Sequence, residues 1–291
     1  MERPGTVAII GVGLIGGSIG MALRSKGMAG RVIGVGRDAT RLEVARQLGA
    51  VDEIETNLGR GVAEADVAVV CTPVTRIVED CMEAARLGPT GILVTDAGST
   101  KARIVSGVES DLRGRDCFVG AHPIAGSERQ GAGSGRADLF EGRCCVLTPT
   151  DRTPPDRLDR ARLFWSGLGC QIVEVDPIDH DDRLALTSHL PHVVAAALAG
   201  SVPVEMLRLA AGAYRDGTRV ASADAALWSG IFLENRSSVL NAIEEFGSRI
   251  DQFCQALRSG DEASLIAWWE EGRSRRNCFA ERSRSNDSLP V

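Results

Sequence analysis

No apolar run in this 291-residue chain approaches the roughly 20 residues that a helix needs to cross a bilayer. The first such run, Val7–Ile10, breaks at glycine and is too short for the apolar core of a secretory signal. Neither a membrane span nor a leader is expected. A disulfide framework is missing as well. The eight cysteines (71, 81, 117, 144, 145, 170, 254 and 278) include no CxxC pair and keep no spacing rhythm. Several sit inside apolar runs such as Ala68-Val-Val-Cys71, where cysteine behaves as a small buried hydrophobe. Reduced thiols in a cytoplasm are the expectation, with no metal site. Excess positive charge is absent too. The formal net charge of −6 argues against nucleic acid or an anionic membrane as partner, because both select basic surfaces. Histidine is scarce, at four residues (122, 180, 189 and 192), and no lysine follows Lys101. No internal repeat or low-complexity block appears.

What is present suffices for two domains with a substantial core: 44% of residues are hydrophobic. From Val7 to Val175, short β-rich runs alternate with helical patterns. Candidate strands are 7–10, 32–35, 67–71, 92–95, 117–120, 145–147 and 172–175. The first four are near-continuous apolar runs, as expected for parallel strands covered on both faces. Helical segments such as 14–26, 40–48 and 74–86 lie between them, and Asp151–Asp156 reads as a loop opening another helix. The alternation predicts an α/β, Rossmann-like, doubly wound parallel sheet. After Asp176-Pro177 the β-branched runs vanish and Ala- and Leu-rich helical stretches take over at 178–211, 223–257 and 261–283. The expected organisation is a sheet domain over 1–175 and an all-α domain over 176–291.

The stretch Gly11-Val-Gly13-Leu-Ile-Gly16 is a GxGxxG between the first strand and the first helix. Gly11 permits the tight turn, Gly13 lets the backbone approach a pyrophosphate, and Gly16 permits close helix–strand packing. The βαβ unit that follows supplies the context that makes this short motif informative. An NAD enzyme usually ends its second strand with an acid that binds the ribose 2′-hydroxyl. Here that strand ends Val35-Gly36-Arg37-Asp38. Gly36 takes the acidic place and Arg37 suits a 2′-phosphate, which favours NADP; Asp38 would serve the ribose, and NAD, if the register slipped by two. Candidate cofactor-binding residues are Gly11, Gly13, Leu14, Ile15, Gly16, Arg37, Thr72 and Pro73.

Three further segments carry chemistry. Gly120-Ala-His122-Pro follows a predicted strand, and ligands of open α/β sheets bind at the carboxyl ends of strands, so His122 is placed to act as a base. Asp96-Ala-Gly-Ser99-Thr-Lys101 follows the preceding strand. Ser99 reads as a helix N-cap that also faces substrate, and Lys101 as a solvated charge. Ser188-His189-Leu-Pro-His192 opens an apolar helix. Its two histidines share one face, either as buried, hydrogen-bonded core or as site residues; no third ligand has metal spacing.

In chain order, GVGLIGGS, DAGSTKA, GAHPIAGSERQG, SHLPHVVAAAL and YRDGTRVASADAALWSGIFLEN resemble the prephenate/arogenate dehydrogenase family of tyrosine biosynthesis, from Val7 to about Ile250. The resemblance implies oxidative decarboxylation of prephenate, or alternatively of arogenate, with NADP or NAD. It implies His122 as the base for the ring hydroxyl and Ser99 as the group holding that hydroxyl in line. It implies Arg219, His192, Ser127, Glu128 and Asp216 on the substrate side, Arg219 binding a carboxylate and the two acids pairing with the arginine and gating the pocket. The second histidine of Ser-His-Leu-Pro-His is closer to the prephenate-using members. The resemblance also implies a homodimer through the helical domain, whose helices, such as 192–211, carry more apolar surface than a small domain covers. A chorismate mutase segment and an ACT-type regulatory domain are not expected. Two other readings fit less well. A β-hydroxyacid dehydrogenase or imine reductase typically relies on a lysine in the helical domain, which this one lacks. A non-catalytic nucleotide sensor leaves His122, Ser99 and Arg219 without purpose.

Overall fold

The computed structural model describes residues 5–126 and 131–285. By internal contacts the chain forms two compact units, Met1–Asn235 and Arg236–Val291. The first is built on six parallel strands: β1 (Thr6–Ile10), β2 (Arg31–Val35), β3 (Glu53–Glu55), β4 (Val67–Val70), β5 (Leu93–Asp96) and β6 (Phe118–Val119). Their order is β3-β2-β1-β4-β5-β6, the expected doubly wound sheet. The register sets Ile9 beside Gly34 on one side and Val69 on the other.

Alternation along the strands explains why they are almost wholly apolar. Val7, Ile9, Val32, Val67, Val69 and Leu93 enter one core, with Ile19 and Leu23 of α1 (Leu14–Ser25) and Phe164 and Trp165 of α7 (Pro155–Gly167). Ala8, Ile10, Ile33, Val35, Ala68, Val70 and Val94 enter the other. There they meet Ile77 and Cys81 of α4 (Val74–Leu87) and Ile104 and Val108 of α5 (Ala102–Glu109). A strand buried on both faces has no use for a polar position.

Two strands were not legible in the sequence. Glu53–Glu55 is a short, partly exposed edge strand with no apolar run. The predicted strand 117–120 is β6 alone. The chain then turns at Gly120 and enters β7 (Ala121–Pro123), which pairs antiparallel with β8 (Cys144–Leu147); β8 pairs parallel with β9 (Gln171–Glu174). These three form a separate sheet. His122 therefore stands within a strand rather than in a loop. No side chain fits at 120, where a Cβ would lie 2.5 Å from Thr148 Oγ1 and 2.9 Å from Val105 Cγ2.

Four helices follow in the same unit: α8 (Pro177–Leu184), α9 (Leu190–Gly200), α10 (Gly212–Thr218) and α11 (Ala225–Glu234). Between α8 and α9 the segment Ala185–His189 is a π-helical turn, closed by Leu190 N–H donating to Ala185 five residues back. Pro191 gives a reason. It lacks an N–H, and its ring would clash with the carbonyl four residues earlier in an α-helix; the wider turn makes room. The second unit is a hairpin of α12 (Arg236–Ser259) and α13 (Glu262–Ser285), turned at Gly260 with φ +68°. Arg249 Nη2 donates to Glu271 at 2.8 Å, and Phe253 packs against Trp268.

Close packing of α1 on the sheet makes a test. A Cβ at Gly20 would sit 1.9 Å from the carbonyl oxygen of Ala50. Gly20→Ala should lower unfolding stability by about 1–3 kcal/mol, as overpacked cores do, measured by urea denaturation.

Candidate active site

The ends of β1, β2 and β4 open onto a cleft of about 910 Å³. Gly11, Gly13, Arg37, Thr72 and Pro73 line it, with Arg41, Arg76, Asp80 and Gly131–Gly133. The glycine turn has the form that a dinucleotide requires. Gly11 has φ +91°, and a Cβ there would lie 2.9 Å from the Cys71 carbonyl. At Gly16 a Cβ would lie 2.2 Å from the Gly11 carbonyl. At Gly13 it would meet nothing within 4 Å, so that backbone faces open space. The α1 N-terminus carries no side-chain cap, leaving its first amides for an anion. Leu14 and Ile15 form the first turn of that helix. Thr72 donates to Asp80 at 2.6 Å and Arg76 holds the other carboxylate oxygen at 2.9 Å, which stiffens the rim after β4. The residues present fit a nicotinamide dinucleotide.

At the second-strand end, Arg37 is exposed and has no ion-pair partner among the described residues. Asp38 caps α2 (Ala39–Gln47), accepting from Thr40 and Arg41 amides at 3.0 and 3.2 Å, and Arg41 Nε approaches its other oxygen at 3.3 Å. At Gly36 a Cβ would make only ordinary contact with Leu42, 3.4 Å away, so packing does not demand glycine there.

His122 is half-buried, and its Nδ1 lies 2.9 Å from His180 Nε2. His180 Nδ1 lies 2.8 Å from Asp181 Oδ1. Asp181 in turn accepts the amides of Lys101 and Ala102 at 2.7 and 2.9 Å, capping α5 from a distant helix. That cap corrects the expectation for Ser99, which is half-buried and caps nothing. Lys101 is no solvated charge either. It is fully buried against the Asp96 carboxylate, which also accepts the Gly98 amide at 2.9 Å and the Ala121 amide at 3.0 Å. Asp96 thus ties the end of β5 to the strand that carries His122. Burial pushes the His122 pKa well down, and the neighbouring His180, Lys101 and His189 push the same way. The ring is neutral at pH 7 and able to accept a proton.

Of the two histidines before and after Pro191, His189 belongs to the core. It is buried and receives Asn235 Nδ2 at 3.2 Å, while the same amide donates to the Asp181 carbonyl at 2.7 Å. His192 is half-buried and stacks on Trp228 with centroids 3.6 Å apart. Its Nδ1 donates to the Ser188 carbonyl at 2.9 Å. Its pKa is lowered, first by burial, while the Ser188 bond opposes and the nearby Arg219 charge assists. Arg219 opens a short 3₁₀ turn, Arg219–Ser222, and is exposed. Asp216 pairs with Arg215 at 3.2 Å rather than with Arg219. Ser127 and Glu128 lie outside the described residues. The sequence suggested no role for His180, Asp181, Asp96 or Asn235. The only signal was a lone histidine in the acidic run Asp179-His-Asp-Asp182. Among the described residues no group of His, Cys, Asp and Glu could hold a metal ion, and no helix is long and apolar enough to cross a membrane.

Residues 19–174 match the family model "Prephenate dehydrogenase, nucleotide-binding domain", and residues 176–271 match "Prephenate dehydrogenase, dimerization domain". The chain belongs to the prephenate dehydrogenase family. A prephenate dehydrogenase of Bacillus subtilis is 32% identical over 94% of this chain and 75% of that protein. A cyclohexadienyl dehydrogenase of Zymomonas mobilis is 31% identical, over 93% and 94%. The crystal structure of the Aquifex aeolicus prephenate dehydrogenase, in complex with hydroxyphenyl propionate and NAD+, superposes with a TM-score of 0.89 at 31% identity, covering 94% of this chain and 98% of that one. This family member is a nicotinamide-dependent oxidoreductase with a Rossmann-like sheet followed by helices.

Its neutral histidines make stability depend on pH. Burial takes the His189 pKa down from 6.5 to about 4. As the pH falls below 6.5 the unfolded chain gains a proton that the folded chain refuses, so stability is full above neutrality and drops toward pH 4. For His189 alone the loss should be on the order of 2 kcal/mol by about pH 5. Urea unfolding of the wild type against His189→Gln across this range measures it: the variant should show a shallower slope.

Proposed function

We propose that the chain oxidatively decarboxylates prephenate to 4-hydroxyphenylpyruvate, with His122 as the base. The observation that carries this reading is a neutral imidazole on the strand following β6, held from behind by His180, with Arg219 and His192 on adjoining helical elements. A bound nicotinamide supplies the hydride acceptor. The residues of the chain do the rest. His122 takes the proton of the ring C4 hydroxyl as the C4 hydrogen leaves with its electron pair. The bond to the ring carboxylate then breaks, carbon dioxide departs and the ring becomes aromatic. Aromatisation drives the step, so the site needs orientation, a cation and a base rather than a strong acid or a metal. Ser99, past the end of β5, would orient the hydroxyl. Arg219 would hold a carboxylate, with Ser127, Glu128 and Asp216 completing the substrate side.

The choice of prephenate over arogenate rests on charge. The two substrates differ at the side-chain end, keto acid in one and amino acid in the other. Arg219 is exposed, and its charge is felt at the neutral His192. An anionic keto acid suits that end better than an ammonium group.

The cofactor we propose is NADP. Asp38 is committed to capping α2, and Arg37, with no ion-pair partner among the described residues, lines the cleft with Arg41. Residues 1–175 would hold it, and 176–291 would supply the substrate pocket and the homodimer face. Val204 and Leu209, each at 80% exposure, support that face. Eight free cysteines are consistent with a cytoplasmic setting.

Incubation with each of the four substrate–cofactor pairs, followed by nicotinamide absorbance, tests the reading; prephenate with NADP should be fastest. Arg37→Ala should raise the KM for NADP about tenfold to a hundredfold, the worth of a charge-assisted contact, and leave that for NAD unchanged. Gly36→Asp should shift preference to NAD. His122→Asn should lose most turnover with cofactor binding intact, whereas Arg219→Ala should chiefly raise the substrate KM. Normal turnover by His122→Asn would refute the assignment of the base.

A further inference from the structure

The mechanism above uses one ring nitrogen of His122 and leaves the partner of the other without a task. That partner, His180, is 1% exposed, and Asp181 behind it is 3% exposed. Proton positions follow from the backbone outward. Asp181 accepts two amide protons at the start of α5, from Lys101 and Ala102. The carboxylate is an acceptor toward His180 as well, so His180 Nδ1, 2.8 Å away, carries a proton. In a neutral ring that leaves His180 Nε2 as a bare lone pair, facing His122 Nδ1 at 2.9 Å. His122 Nδ1 must then donate, and its own Nε2 is the bare nitrogen. The ring planes cross at 63° with centroids 5.2 Å apart, an edge contact rather than a stack.

Resting on the assignment of His122 as the base, we propose that His180 and Asp181 are positioning residues: the series Asp181–His180–His122 sets the tautomer of the base and shares its charge when it is protonated. On proton abstraction the substrate O–H bond breaks and an N–H bond forms at His122 Nε2. The Nδ1 proton stays in place, donated more strongly to His180 by the imidazolium. The other charged or titratable groups acting on the two rings are Lys101, held by Asp96, and His189. The Lys101 ammonium opposes a further positive charge. The imidazolium therefore depends on the acceptor at its Nδ1, with a carboxylate one ring beyond.

The test uses the full-length enzyme and two substitutions that differ in hydrogen-bond polarity. In His180→Gln the amide donates to Asp181 and accepts from His122, as the imidazole does. In His180→Leu neither bond exists. His180→Leu should lose kcat about a hundredfold or more, the usual worth of a well-placed general base, with cofactor binding and substrate KM near wild type. His180→Gln should recover most of that loss. Nitrogen-15 NMR of the wild-type rings should find neutral His122 protonated at Nδ1. An unimpaired His180→Leu, equal impairment of Leu and Gln variants, or a wild-type His122 protonated at Nε2 would each overturn the proposal. If His180→Leu does not fold, the Gln variant and the NMR decide. His122→Asn separates the two levels. If it is inactive while His180→Leu is normal, only the series falls; if it turns over normally, the assignment of the base falls first.

Discussion

One carboxylate does more to organise this molecule than any other polar group. Asp181 caps α5, which follows the fifth strand of the sheet, although it belongs to α8 some eighty residues later. It also holds His180, and its own carbonyl is held by Asn235 at the end of α11. A buried carboxylate is costly unless its lone pairs are filled, and here amides and an imidazole fill them. Because those donors come from two distant stretches of chain, meeting the electrostatic demand also docks the helical segment on the sheet. The ring of His122 inherits its position from that docking.

A second buried charge works alongside the first. Asp96 closes the fifth strand, takes the Ala121 amide and pairs with Lys101, so the start of the small sheet is anchored to the large one. A buried ion pair of this kind is weak support for stability, although removing either partner would leave an uncompensated buried charge. Burial keeps the His122 ring neutral, and the charges nearest to it, Asp96 with Lys101 and Asp181 with its amides, are themselves already partnered.

Much of this was legible in the sequence. Strand positions came from near-continuous apolar runs, and the glycine turn came from a motif whose three glycines have three separate steric reasons. His122, His192 and Arg219 stood out because they sit in segments characteristic of the family. The strand carrying His122 and its separate sheet did not stand out, since three residues beside a glycine carry no periodicity. Lys101 and Ser99 were misread because a cap is normally local in sequence, whereas this helix takes its cap from Asp181. His180 was passed over for the same reason. Its importance lies in what it touches, and contacts across fifty-eight positions leave no mark in local composition.

The entombed Lys101 has a practical corollary. The chain has only two lysines, and the other, Lys26, lies at the surface beside Glu141. Amine-directed coupling to a bead, dye or sensor chip would therefore find a single side-chain anchor, at the C-terminal end of the first helix. Molecules tethered through it would all present the same aspect to solution.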